Sequence, residues 1–284
     1  MAWSGALSGT LSWTFDSSFR LTSESINNAN AVNFTYDNDS LLTHVGSLVV
    51  SRNAQTGFID AATVGVVSDT RAYNTFGEIT SYDSPGLLTE QFIRDQVGRI
   101  TQKTVTIQGQ VTVYDYTYDT AGRLTDVVRN STASTHYDYD SNSNRLPGNY
   151  DDQDRLLQYG NLSFTYTANG DLASKTDNGT AQTTTYSYDE FGNLITAVLP
   201  GGTQIEYIID GANRRVGKKV NGVKVQGFLY RNGLQIAAEL DATNNVVSRF
   251  VYGTRGNVPD YMVKGGITYR ILVDHLGSPR LVVD

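Results

Sequence analysis

The chain has no cysteine, so disulfides and thiolate metal sites are excluded and stability must come from packing and sheet hydrogen bonds. Gathered basic charge is lacking too. A net charge of −7 with a pI near 5.0 disfavours a nucleic-acid module, because phosphate binding needs clustered Lys and Arg. The one basic run, Asn213 to Val220, reads as a solvated hairpin tip rather than a polyanion site. No apolar run approaches the ~20 residues of a membrane span. The opening stretch, Met1 to Thr10, lacks the basic start and long apolar core of a signal peptide and reads as the start of an excised piece. Helix-forming runs with apolar residues at i, i+3, i+4 and i+7 are nearly absent, so helix is expected to be minor.

What the chain does contain is β-forming. Its 18 Tyr and 10 Phe, with many Thr, Val and Ile, suit a pleated, half-buried surface. The decisive feature is repetition. In "YTYDTAGRLT" Asp119 precedes Gly122 and Arg123, and "DYDSNSNRL" places Asp140 twenty-one positions later. The same role falls on Asp16, Asp37, Asn53, Asn74 and Asp95 upstream, and on Asp151, Thr167, Asp189, Asp210, Arg231, Gly253 and Asp274 downstream. Most steps are twenty-one residues or close to it.

Each unit reads as one β-hairpin. Tyr116 and Tyr118 lie two apart, so they share a strand face and are expected to stack on equivalent aromatics of neighbouring units. Asp119 opens a turn in which its carboxylate accepts backbone N–H bonds, and Gly122 supplies a positive φ. Arg123 then points to solvent or a nearby carboxylate. The second turn of each unit is expected to be looser, as at Asn130–Ser134 and Thr176–Gln182, with its variable length explaining spacings of 24 and 16. Single hairpins are marginal in water, so these should pair edge to edge into a continuous antiparallel sheet that twists and coils.

These residues resemble the YD-repeat, or RHS, family, whose unit reads approximately Y-x-Y-D-x-x-G-[RN]-[LI]. The resemblance rests on Tyr116, Tyr118, Asp119, Gly122 and Arg123, on Tyr186, Tyr188, Asp189 and Gly192, and on degenerate copies from about Trp13 to Gly256. Residues 250–284 further resemble the start of the RHS repeat-associated core region, most specifically in Asp274, His275, Gly277 and Arg280. The division is then a hairpin array over 1–249, continuous with a core segment over 250–284. The resemblance implies an all-β fold, a continuous antiparallel sheet of repeated hairpins coiled into a spiral shell, here incomplete or capped by self-association through its edges. It also implies a non-enzymatic scaffold that encapsulates or presents a C-terminal toxin or effector in bacterial secretion or competition, secreted or at the cell surface. The family's self-cleaving aspartyl element, D-P-x-G-[LW], is expected beyond Asp284. The alternative is an extracellular module binding carbohydrate or protein through the repeated aromatics, as adhesion-type relatives such as teneurins suggest. No cofactor, nucleic-acid partner or membrane span is expected.

Other candidate chemistry is better explained by the repeat. Asp138, Asp140, Asn142 and Asn144 alternate like a calcium loop, but Ser143 stands at the glycine position and Asn149 where a bidentate Glu belongs. Asp151–Asp154 is the turn of its own unit, so no metal site is expected. His44, His136 and His275 lie in different units without a catalytic pattern around them. Asp274–His275 reads as turn geometry, with Arg280 available to Asp274. Five glycosylation sequons begin at Asn33, Asn38, Asn130, Asn161 and Asn178 and would matter only in a eukaryotic secretory host.

Overall fold

A computed structural model describes residues 1–284, the side chain of Asn30 excepted. Among the described residues there is no helix. Fourteen strands, from Ala2–Trp3 to Ala133–His136, follow one another in a sheet whose spatial order is the chain order. A two-stranded ladder, Asp138–Tyr139 with Arg145–Leu146, comes next. A second fourteen-stranded sheet runs from Asn149–Tyr150 to Pro279–Val283, again in chain order. Strand pairing is antiparallel throughout the described ladders, and neither order closes on itself. The fold is therefore an all-β array of successive hairpins.

Two kinds of turn alternate along the array. The Asp-type turn carries a register shift at its base, as between Thr117 and Tyr118 opposite Leu124. The other turn is tighter than expected, not looser. At Asn27–Asn28, Gln108–Gly109, Asn221–Gly222 and Gly265–Gly266 both residues have positive φ, between 48° and 83°. That is the type I′ geometry, whose twist matches the flanking strands. The stretches at Asn130–Ser134 and Thr176–Gln182 are among the longer exceptions.

Variation in spacing consequently sits in the strands. The step of 24 from Asp95 to Asp119 contains the eight- and nine-residue strands Ile100–Ile107 and Gln110–Tyr118, joined by two residues. The step of 16 from Asp37 to Asn53 contains only Leu42–Val45 and Leu48–Arg52.

The chain forms two compact units. The larger comprises Met1–Thr135, Leu229–Glu239 and Val246–Asp284; the smaller comprises His136–Phe228 and Leu240–Asn245. In the larger unit Val45 and Leu48, both fully buried, join Val32, Phe34, Val251 and Tyr261 in one core cluster. A second cluster gathers Val67, Tyr82, Leu88, Val105 and Leu272. Burying a side chain of this size contributes ~1.5–3 kcal/mol, so these clusters fasten residues 246–284 to strands some 200 positions earlier. In the smaller unit few side chains are fully buried. Its basic run is absorbed locally: Arg215 lies 3.9 Å over the Tyr207 ring, and Lys219 pairs with Glu206 at 3.7 Å.

Gly253 needs correction. It does not open a repeat turn; it lies in a loop closed by the Asp260 N–H donating to the Val251 carbonyl at 2.8 Å. Glycine is required there by close approach, because a Cβ would stand 2.5 Å from Leu48 Cδ2. Two turns of the Asp type were also not foreseen, at Leu199–Thr203 and Asp241–Asn245.

Candidate functional site

The repeated turn is the first candidate. The Asp119 N–H donates to the Arg123 carbonyl at 2.9 Å, and the Gly122 N–H donates to the Asp119 carbonyl at 3.0 Å. Gly122 has φ +83°, which completes a type I turn with a left-handed residue at the bulge. Asp119 Oδ1 accepts from the Arg123 N–H at 2.9 Å, while Oδ2 accepts from Arg123 Nε at 2.7 Å. These main-chain and guanidinium bonds lower the Asp119 pKa below the usual carboxylate value. A carboxylate held ionised by its own turn is a poor proton carrier. Its chemistry is spent on the backbone.

The same bonds recur with substitutions. Asp189 Oδ1 accepts from the Phe191 and Asn193 N–H groups at 2.9 Å each, and Asn193 Nδ2 replaces the guanidinium at 2.8 Å. Gly192 has φ +78°. At Asp140, Ser143 takes the left-handed position with φ +70°, and Asn142 and Asn144 donate to Asp154 Oδ1 at 3.0 and 2.7 Å. The calcium-like alternation is thus absorbed by two adjoining turns.

The tyrosine before each Asp does something that spacing does not show. Tyr118 Oη donates to the Ile100 carbonyl at 2.7 Å, the first strand residue after the preceding Asp turn. Tyr36, Tyr73, Tyr166, Tyr188 and Tyr252 make the equivalent bond to Leu21, Ile59, Leu156, Leu172 and Ile236. In several units the preceding turn's arginine covers that ring, as Arg99 lies 4.8 Å over Tyr118 and Arg20 lies 5.0 Å over Tyr36. Where a tyrosine stands at this position its hydroxyl ties one turn to the preceding one, in several units with the ring as well; Phe15, Arg52, Arg94, Ile209 and Val273 stand there in other units. Tyr116 differs from expectation: it stacks on Tyr114 of its own strand, centroids 6.4 Å apart. Burial pushes its phenol up to about 12. Tyr186 belongs to the strand Gln182–Tyr188, opposite Ala197.

The core segment forms a second constellation inside the larger unit. Asp274 Oδ1 accepts from the Leu276 and Ser278 N–H groups at 3.0 and 2.9 Å, Gly277 has φ +90°, and Arg280 lies 3.9 Å from Asp274 Oδ2. The His275 N–H donates to the buried Glu90 Oε2 at 3.0 Å, and its ring packs on Phe92 at 4.8 Å. Burial lowers the His275 pKa and raises that of Glu90. Lys103 stands 3.8 Å from Glu90 Oε1. This arrangement docks the segment on an earlier strand.

Beside it lies a buried ionic cluster that sequence reasoning missed. Arg270 reaches Asp69 Oδ2 at 2.5 Å and Asp260 Oδ1 at 3.2 Å, and Asp69 Oδ1 lies 3.1 Å from Arg71. Asp260 Oδ2 also accepts from the Gly253 and Thr254 N–H groups at 2.7 and 2.8 Å. Glu24 accepts from Trp13 Nε1 at 2.9 Å and pairs with Arg231 at 3.1 Å, and Arg249 donates to the Glu24 carbonyl at 2.7 Å. A signal existed. Glu90 alternates in phase with buried Leu88 and Phe92, and Asp69 with buried Val67, so each charge sits on an inward register where only a buried partner keeps it.

The larger unit also has an open cleft of about 730 Å³ lined mainly by apolar groups, with the Arg249 and Tyr261 side chains at its wall. Tyr261 Oη already donates to the Val45 carbonyl and accepts from the Ser47 N–H. Among the described residues no group of three or more His, Asp or Glu is placed to hold a metal ion, and no helix is long and apolar enough to cross a membrane.

A family model described as Teneurin YD-shell matches residues 2–284. Human Teneurin-1 is 26% identical over 205 residues, which are 66% of this chain and 7% of that protein. The tRNA nuclease WapA of Bacillus subtilis is 28% identical over 162 residues, 56% of this chain and 6% of that protein. Among solved structures, a chain of the Photorhabdus luminescens Tc holotoxin pore superposes with a TM-score of 0.55 at 11% identity, covering 86% of this chain and 16% of that one. The chain thus spans a small fraction of each relative. Its fold is that of an RHS/YD-repeat shell, present here as an incomplete part of one.

Proposed function

This chain belongs to the teneurin YD-shell family, and we propose that it serves as a non-enzymatic stretch of shell wall whose complete protein encloses or presents a C-terminal toxin or effector. The observation that carries this reading is the fate of the polar groups. From Asp16 to Asp274 the turn carboxylates are bound to their own main chain, which builds a repeated wall and leaves the repeat nothing to catalyse with. Residues 250–284 are read as the start of the core segment, continuous with the array. The partners are then the remaining shell segments and the effector, with self-association through terminal strands of the sheets such as Ala133–His136, exposed along its whole length. The setting is bacterial, secreted or at the cell surface.

The test is a protection assay on the full reading frame that contains this segment. The enclosed C-terminal part should survive limited proteolysis until the shell is unfolded. Digestion at the rate of the same part expressed alone would refute enclosure. Exposed rings at the turn tips, Phe19, Phe76 and Phe191, favour a second reading as an adhesion module. Cell-surface binding lost on replacing those rings, in a protein that protects nothing, would support it instead.

A further inference from the structure

Two successive clefts open between Asp-type turns of the larger unit. The first, about 540 Å³, lies between the turns at Asn53 and Asn74, and the second, also about 540 Å³, between those at Asn74 and Asp95. Phe76, 87% exposed on the turn between them, borders both. Phe58 and Tyr73 wall the first cleft with centroids 5.1 Å apart, and Phe92 lies in the second. The Phe58 ring is held under Gly77, where an added Cβ would meet its Cζ at 3.0 Å. The aromatic walls are preformed.

The repeat distance of these clefts is set by the sheet. Equivalent turns are two strands apart, roughly 9.4–9.8 Å. A polyproline II helix has three residues per turn and rises ~3.1 Å per residue, so it repeats every ~9.3 Å. Every third residue of such a chain would meet the next cleft in the same orientation.

The polar groups choose between a peptide and a polysaccharide. Asn53 Oδ1 accepts from the Gln55 and Thr56 N–H groups, Asn74 is bound to Phe76 and Glu78, and the Tyr73 hydroxyl donates to the Ile59 carbonyl. These acceptors are already engaged, which leaves the aromatic faces as the feature that both clefts share, and proline rings need only aromatic faces. Asp60 Oδ1 is buried in the first cleft with no hydrogen-bond partner. Arg71, which also lines this cleft, is paired through Nη2 with Asp69 at 3.1 Å, its Nε having no hydrogen-bond partner. That carboxylate, in a chain of net charge −7, is complementary to a cation on the ligand. We propose that the two clefts bind a proline-rich, arginine-bearing segment in the polyproline II conformation, one turn of ligand per cleft.

The inference does not rest on the shell reading. It is tested by fluorescence anisotropy of the whole chain with a labelled peptide of four Pro-Pro-Arg repeats. Saturable binding is expected, at least about tenfold tighter than to four Gly-Gly-Arg repeats, and at least about tenfold weaker in Phe76→Ala. Asp60→Asn should weaken the arginine peptide but leave a Pro-Pro-Gln peptide unchanged. In the unmodified protein, ligand-induced amide shifts should centre on Gly77 and Gly98, which keeps the test independent of how the variants fold. Equal affinity for the proline and glycine peptides, or shifts lying elsewhere, would overturn the proposal. So would a cello-oligosaccharide that shifts Gly77 and Gly98 while the peptide does not.

Discussion

At the scale of single residues, the left-handed position three after the turn-opening residue carries most of the local cost. A left-handed backbone costs a residue with a Cβ ~1–2 kcal/mol. Gly122→Val is therefore expected to lower unfolding free energy by ~1–2 kcal/mol in urea titration. Unchanged stability would disprove the turn assignment. Phe19 gives the converse case, with φ +59° on an exposed tip. Phe19→Gly should raise stability by about 0.5 kcal/mol, relief of strain outweighing glycine's entropy. The turn carboxylates add a pH signature. Asp241 is held at about 2 by bonds from the Asn245 side chain and N–H and from Thr243, so its carboxyl carbon resonance should titrate near there rather than near 4. A folded-state value below the unfolded one means that the stabilisation is present above the unfolded value and lost as pH falls through the folded one. Such turns are legible in a sequence because the Asp, the glycine and the bonds between them lie within five residues. Leu199 escapes that reading, since it has no side chain to accept a bond and its turn rests on Gly202 and the backbone alone.

At the scale of the hairpin, the tyrosine hydroxyl is the tie between units. Tyr118→Phe keeps the ring and removes the bond to the Ile100 carbonyl, at an expected cost of ~1 kcal/mol. No change in stability would show that the bond contributes nothing net. This tie was hidden because its acceptor is a backbone carbonyl eighteen residues away, identical chemically to every other carbonyl. Strand length was hidden for a related reason. Thr, Val and Tyr mark a strand but not where it stops, so the step of 24 reads as a long loop until Ile100–Ile107 and Gln110–Tyr118 are seen paired to their ends.

At the scale of the larger unit, the buried charges matter most, and they are the least legible. Asp69 and Arg270 are separated by 201 positions, and nothing in either neighbourhood encodes the other. Arg270→Met leaves Asp69 with Arg71 alone and Asp260 with only its main-chain and Thr254 donors and is expected to cost ~3–5 kcal/mol, whereas changing Arg270 together with Asp69 and Arg71 to apolar residues should recover part of it. Loss of equal size in both variants would contradict this electrostatic account. The docking of His275 is sensitive to pH. Its pKa is lowered chiefly by burial, with Lys103, Arg94 and Arg255 adding to the effect and Asp274 opposing it. The folded state therefore resists the proton, and stability should decline as pH falls below the unfolded value of ~6.5. Glu90, raised by burial, acts oppositely further down, gaining its proton more readily when folded. Denaturation at pH 8 and pH 6 should show the decline, and His275→Gln should flatten it.

The placement of much of the length variation in strands, with the Asp-type turn held nearly constant, gives the array an adjustable width. Between the short pair Leu42–Val45 and Leu48–Arg52 and the long pair Ile100–Ile107 and Gln110–Tyr118, the ribbon gains about four residues, or ~14 Å. Residues added in twos to both arms of a hairpin leave every side chain on its original face, and the bonds that close the turns stay as they were. A lineage of such proteins can thus widen or narrow its band locally, hairpin by hairpin, without redesigning a single corner.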